Sequence, residues 1–340
     1  MKADPNISLL RGAAILSVLL NHYLNDYVPV DATGYANGCI AIFFFLSGKL
    51  SSASINRNPA PLTVASIARY YLKRALRIYP LLWLFLAINP NNVDHGQLSW
   101  SGLAITDLPW FVSAMVHCYL CCLPFFGIRR ISDPASRVLA FVVFSIGLIV
   151  AFDILLPSTP PFVYRGVPGG HLLLFGFGVA VQDMSVPEWL RRNTGRVAAV
   201  LAFAVSVYAT RLRLDTFALS PILTGLSLTL ATAILCSAFT APANPTSPPV
   251  KQVRIPHVAL AQLGDYSYGV YLFHMMYFNG LAALGLLKRG SVSSALYALA
   301  LFPLFFMSVR LVEDASNAAA RVLFSRIAGG PDNGVSRHGA

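Results

Sequence analysis

The chain of 340 residues is 56% hydrophobic and only 11% charged, with a mean hydropathy of +0.63. So apolar a composition excludes a soluble globular domain, and apolar runs recurring along the whole length predict a polytopic membrane protein. The net charge of +11 would suit a nucleic-acid binder, but its placement follows membrane topology instead.

In chain order the runs predict helices over 7–25, 37–55, 78–90, 101–127, 138–156, 168–183, 196–212, 218–240, 263–287 and 291–312. Their continuity favours an all-α bundle of about ten transmembrane helices over a barrel, whose strands would alternate in shorter segments. With the N-terminus in the cytoplasm, twenty of the 25 Lys and Arg residues fall on that side, and only Arg165, Arg211, Arg213, Lys288 and Arg289 fall outside. This bias obeys the positive-inside rule and places both termini in the cytoplasm. One transmembrane domain over 1–326 is expected, followed by a tail over 327–340 that reads as disordered.

The first run, Ile7 to Leu24, has Arg11 inside it and no small-residue cleavage site, so it reads as a retained helix rather than a signal peptide. Arg11 and His22 are separated by roughly 20° in azimuth and about 16 Å along a helix axis, so they share one stripe. A guanidinium in hydrocarbon costs about 3 kcal/mol, so its presence needs a reason. Snorkelling of Arg11 and capping by His22 is the plain alternative. A polar stripe facing a water-accessible cavity, where a neutral imidazole acts as a base, is the reading that later motifs support. Asp26, one turn past His22, either orients the ring or opens the following loop.

The second run contains GCIAIFFFLSG, Gly38 to Gly48, whose small ends allow close helix contact and whose Ser47 adds a polar group near the cytoplasmic face. Next comes YYLKRALRIYP, Tyr70 to Pro80. Arg69, Lys73 and Arg77 recur at i, i+4 and i+8 with Arg74 beside them, a ridge suited to the phosphates of a nucleotide-like cofactor. Lipid headgroups and topology alone are the competing explanations.

Cys118, Cys121 and Cys122 share a helix with His117, and on an apolar helix they read as packing residues rather than a metal site. The outer loop Pro157 to Gly170 offers Tyr164 and Arg165 to a polar acceptor or to the interface. Prolines in Ala241 to His257 predict a cytoplasmic linker without helix. In LGDYSYGVYLFH, Leu263 to His274, helical spacing gathers Ser267, Tyr271 and His274 on one face, which suggests a polar cavity within the membrane.

These segments together resemble the bacterial membrane acyltransferase-three family. Its basic residue, ten others and a histidine match Arg11 and His22. Its aromatic pair followed by L-S-G matches Phe43, Phe44, Leu46, Ser47 and Gly48. Its R-x-x-R before I-Y-P matches Arg74, Arg77, Tyr79 and Pro80, and its L-G-x-x-S-Y-x-x-Y-L-x-H matches Leu263, Gly264, Ser267, Tyr268, Tyr271, Leu272 and His274. The chain departs from the family at Met115, where an acid is usual, at Cys39 and Ala41, and at Ala315, which replaces the proline of E-x-P after Glu313.

The resemblance implies an O-acyltransferase of the bacterial inner membrane. It would move an acyl group, acetyl in most of the family, from cytoplasmic acyl-CoA to a hydroxyl of a glycan or lipid-linked saccharide. His22 would then be the general base, and Arg11 would serve catalysis by holding cofactor phosphate or stabilising developing oxyanion charge. Arg69, Lys73, Arg74 and Arg77 would bind the donor, and Ser47, Ser267, Tyr271 and His274 would line the cavity. No metal and no nucleic acid are expected. A transporter or flippase for a glycolipid or exopolysaccharide is the rival, since intramembrane Arg and His serve proton coupling equally well. The cationic ridge separates the two, because only the acyltransferase needs a coenzyme A site.

Overall fold

The computed structural model describes residues 5–28, 33–56, 63–89, 110–155, 168–181, 186–211, 220–240 and 255–327. Among these residues all regular structure is helical. The helices are α1 (Pro5–Tyr27), α2 (Thr33–Asn56), α3 (Val64–Ile88), α4 (Trp110–Leu120), α5 (Cys122–Arg129), α6 (Pro134–Leu155) and α7 (Pro168–Ala180). They continue with the short α8 (Glu188–Arg191), α9 (Asn193–Arg211), α10 (Ser220–Thr240), α11 (Ile255–Asp265), α12 (Ser267–Ala283) and α13 (Val292–Ile327).

Several boundaries differ from the hydropathy reading. The third helix begins at Val64 rather than residue 78, because Thr63 caps it by accepting the Ser66 N–H at 3.2 Å. The charged stretch that follows is made of good helix formers to which hydropathy is blind. The fourth run breaks at Cys121, and α4 and α5 meet at 47°. The ninth run is likewise divided, between α11 and α12 at Tyr266. The last helix runs on to Ile327, since its final third keeps helix-forming residues after the apolar ones end. The linker expected to end at His257 gives way to helix at Ile255, where Pro256 lies in the first turn and its missing N–H costs nothing. The rest of that linker, Tyr164 and Arg165 in the outer loop, and the tail from residue 328 lie outside the described residues.

Among the described residues, Pro5–Tyr27 and Val292–Ile327 are long and apolar enough to cross a bilayer, and the bent α4–α5 pair makes a third candidate. Shorter apolar stretches lie in α2, α6, α7, α9 and α10. The count of ten spans and the side of the termini rest on the sequence alone.

The core is built of Phe44, Phe45, Phe125, Phe141 and Phe175 with Ile15 and Val18, all fully buried. Glycine sets how closely the helices around it approach. A Cβ on Gly12 would fall on the carbonyl oxygen of Leu260, and one on Gly264 on that of Ser8, so α1 and α11 touch backbone to backbone. Gly48 and Gly178 do the same for α2 and α7, against Phe175 and Phe45. Small residues let helices gain contact area where apolar solvent gives no hydrophobic drive. The Ser8 hydroxyl also donates to the Asp265 carboxylate and ties α1 to the end of α11.

Candidate functional site

Arg11 from α1, Arg74 and Arg77 from α3, Ser47 from α2, and Ser267 and Tyr271 from α12 converge on one cavity. Its empty space, mouth included, is about 730 Å³. Two guanidiniums come from α3 because residues three apart share a helix face. Arg74 is oriented by two rings, with its guanidinium carbon 5.3 Å from the centre of Tyr70 and 5.1 Å from that of Tyr119. The Tyr70 hydroxyl in turn donates to Cys122 Sγ at 3.3 Å, so that thiol is engaged in holding the wall. Arg69 and Lys73 lie on the same stripe and, like Arg77, are exposed, but they are outside the lining. Lys73 Nζ instead sits 5.1 Å above the ring of Phe324 on α13.

The break between α11 and α12 opens onto this cavity. Val270 N–H still reaches the carbonyl of Tyr266 at 3.1 Å. Gly269 N–H donates to Glu313 Oε2 at 3.0 Å. A backbone amide freed at membrane depth must find a partner, and a carboxylate from α13 supplies it. Gly269 has to be glycine for this, since a Cβ there would lie 2.6 Å from that carboxylate oxygen. Glu313 is 6% exposed and interacts electrostatically with both Arg77 and Arg11. Sequence reasoning left Glu313 out of the site. The available signal was Glu313 at the first position of the family's E-x-P, directly after the apolar part of the last helix. Met115, at the position where that family has an acid, is buried in the cavity wall and contributes a thioether.

His22 and His274 are outside that lining, further along α1 and α12, and they face each other with ring centres 4.9 Å apart. Spacing along one helix does not disclose this pairing of two. His274 Nδ1 lies 2.5 Å from the carbonyl oxygen of Tyr271. A carbonyl only accepts, so the proton sits on Nδ1 and Nε2 carries a lone pair. Nε2 is buried with no hydrogen-bond partner among the described residues. Tyr271 bridges the two zones, with one edge in the cavity lining and its ring centre 5.6 Å from that of His274. Phe111 packs on it at 4.6 Å. Asp26 remains helical and exposed one turn past His22.

The arrangement therefore has two ends: a cluster of cations that can hold an anionic group, and a pair of imidazoles that can accept a proton. The family model of the acyltransferase domain, Acyl_transf_3, matches residues 4–311. No curated protein and no solved structure matches the chain.

Proposed function

Because the chain belongs to the acyltransferase-3 family and is a membrane acyltransferase, we propose that it transfers an acyl group, acetyl in the first instance, from acyl-CoA to a hydroxyl of a glycan or lipid-linked saccharide. The observation that carries this reading is the distance between the two ends of the site. Arg11 and His22 are separated by about 16 Å of helix rise. The pantetheine arm of coenzyme A is about as long as five extended residues, which at about 3.3–3.6 Å each spans roughly 17 Å. A diphosphate held by Arg11, Arg74 and Arg77 would thus deliver its thioester to the level of His22. Guanidinium forks suit phosphate, and an apolar wall of Met115 and Phe111 suits the arm.

In the proposed reaction His22 takes the proton of the acceptor hydroxyl as its oxygen attacks the thioester carbonyl. The carbon–sulfur bond then breaks, the proton passes to the leaving sulfur, and free coenzyme A and the new ester result. His274 packs its ring against that of His22, with centres 4.9 Å apart, and so limits how that ring can turn. Donor entry from the cytoplasm of a bacterial inner membrane, with both termini on that side, agrees with the charge bias. A transporter has no use for a donor site of this length.

The test is acetyl transfer from labelled acetyl-CoA by the purified protein. His22→Gln is expected to lower turnover by roughly 10²–10⁴-fold and to leave coenzyme A affinity near wild type. Wild-type turnover by that variant would remove His22 from the base role.

A further inference from the structure

One group in the cavity is left unused by this account. Ser267 is 1% exposed and belongs to the cavity wall, and its buried hydroxyl has no hydrogen-bond partner among the described residues. A buried hydroxyl without a partner is costly, typically about 1–3 kcal/mol, so a site that keeps one has a use for it. The cost is not offset by local structure, since α12 begins at Ser267 with no side-chain cap.

Its position narrows the ligand group. Ser267 and His274 lie on one face of α12, seven residues and therefore about 10.5 Å apart along the axis. The His22–His274 contact and the Gly12–Gly264 seam show α12 following α1 in the same direction. Ser267 thus lies about 6 Å beyond the level of Arg11, a third of the way to the histidines. The carboxylate of Glu313 is bound to Gly269 two residues away, which disfavours another anion there and favours a neutral polar group.

We infer that Ser267 binds the uncharged hydroxyl–amide portion of the donor's pantoyl unit, between the phosphates and the thioester. The inference rests on the acyl-CoA reading and adds to it a contact that reads the arm instead of the nucleotide. The hydroxyl both donates and accepts, as an amide and a secondary alcohol both require. Acyl-CoA would then be selected over nucleotides that share its phosphates but lack the arm.

Binding to the full-length protein in nanodiscs tests this with two probes, coenzyme A and adenosine 3′,5′-bisphosphate, which lacks the arm. Ser267→Ala is expected to weaken coenzyme A about three- to tenfold, the worth of one neutral hydrogen bond, and to leave the bisphosphate unchanged. Ser267→Thr, which keeps the hydroxyl, is expected to restore most of the loss. Thermal stability of the alanine variant should be equal to or above wild type, because an unpartnered polar group has been removed. Equal weakening of both probes would make Ser267 a phosphate ligand and overturn the inference. Unchanged affinity for both would make it a packing residue and overturn it as well. If the wild-type protein bound the bisphosphate as tightly as coenzyme A, the arm would not be read and the inference would fail. If it bound neither, the acyl-CoA reading itself would fall and the inference with it.

Discussion

The seam between α1 and α11 and the long face of α13 are both apolar helix surface, yet they are packed in opposite ways. At the seam, Gly12 and Gly264 bring backbone against backbone, and a side chain added at either position would strike a carbonyl. Of the 36 residues of α13, those buried are Ser294, Val309 and Glu313, while Leu299 is 71% and Leu304 66% exposed. Apolar character alone therefore does not say where a helix is held. In a membrane the lipid is as apolar as leucine, so small residues and polar contacts mark the interface and large aliphatics mark the lipid side.

The largest effect that separates the two regions is expected from Gly264→Val. The valine would have to push α1 and α11 apart, and the protein should fail to give a monodisperse peak on size exclusion in mild detergent. Gly280→Ala, where nothing lies within 4 Å of the added carbon, should elute as wild type. If Gly264→Val behaved like Gly280→Ala, close backbone contact would not be what holds the seam.

A related contrast, between positions that line the cavity and positions that do not, recurs within α3. Replacing Arg74 and Arg77 together with Gln removes two cations from the cavity, each typically worth about 1.5–3 kcal/mol against a charged group. The expected rise in KM for acyl-CoA is therefore at least tenfold, measured as initial rates against donor concentration. Replacing Arg69 and Lys73 together with Gln should change KM by no more than about threefold, since these exposed charges stand outside the cavity lining. Equal effects of the two pairs would show the whole ridge acting as a diffuse field.

The smallest effect is expected on α13. Leu299→Ala and Leu304→Ala should shift unfolding by no more than about 0.5 kcal/mol, as is usual for surface positions. A large loss in thermal denaturation would mean that this face contacts another protein surface rather than lipid.

Much of this could be read in the sequence, for reasons that also show where such reading stops. Helical periodicity is a property of one segment, so the stripe of Arg11 and His22 and the face of Ser267, Tyr271 and His274 were visible in advance. The meeting of His22 with His274 was not, since it depends on how α1 and α12 pack. The break at Tyr266 lay hidden inside an apolar run because hydropathy does not register a lost backbone hydrogen bond. Glu313 was the most informative omission. Its role depends on an amide of Gly269 left open by that break and on arginines from two other helices, none of which its own neighbours in sequence disclose.

The cluster of arginines has a kinetic consequence. Three guanidiniums line the cavity, and the buried Glu313 carboxylate interacts with two of them, Arg77 and Arg11, so the site keeps an excess of positive charge and attracts polyanions over a distance. In solution that attraction fades beyond about 8 Å at physiological ionic strength. Inside the cavity, protein walls keep counterions away and the same charges stay strong. Salt should therefore slow the arrival of a polyanionic donor while leaving its residence time almost untouched.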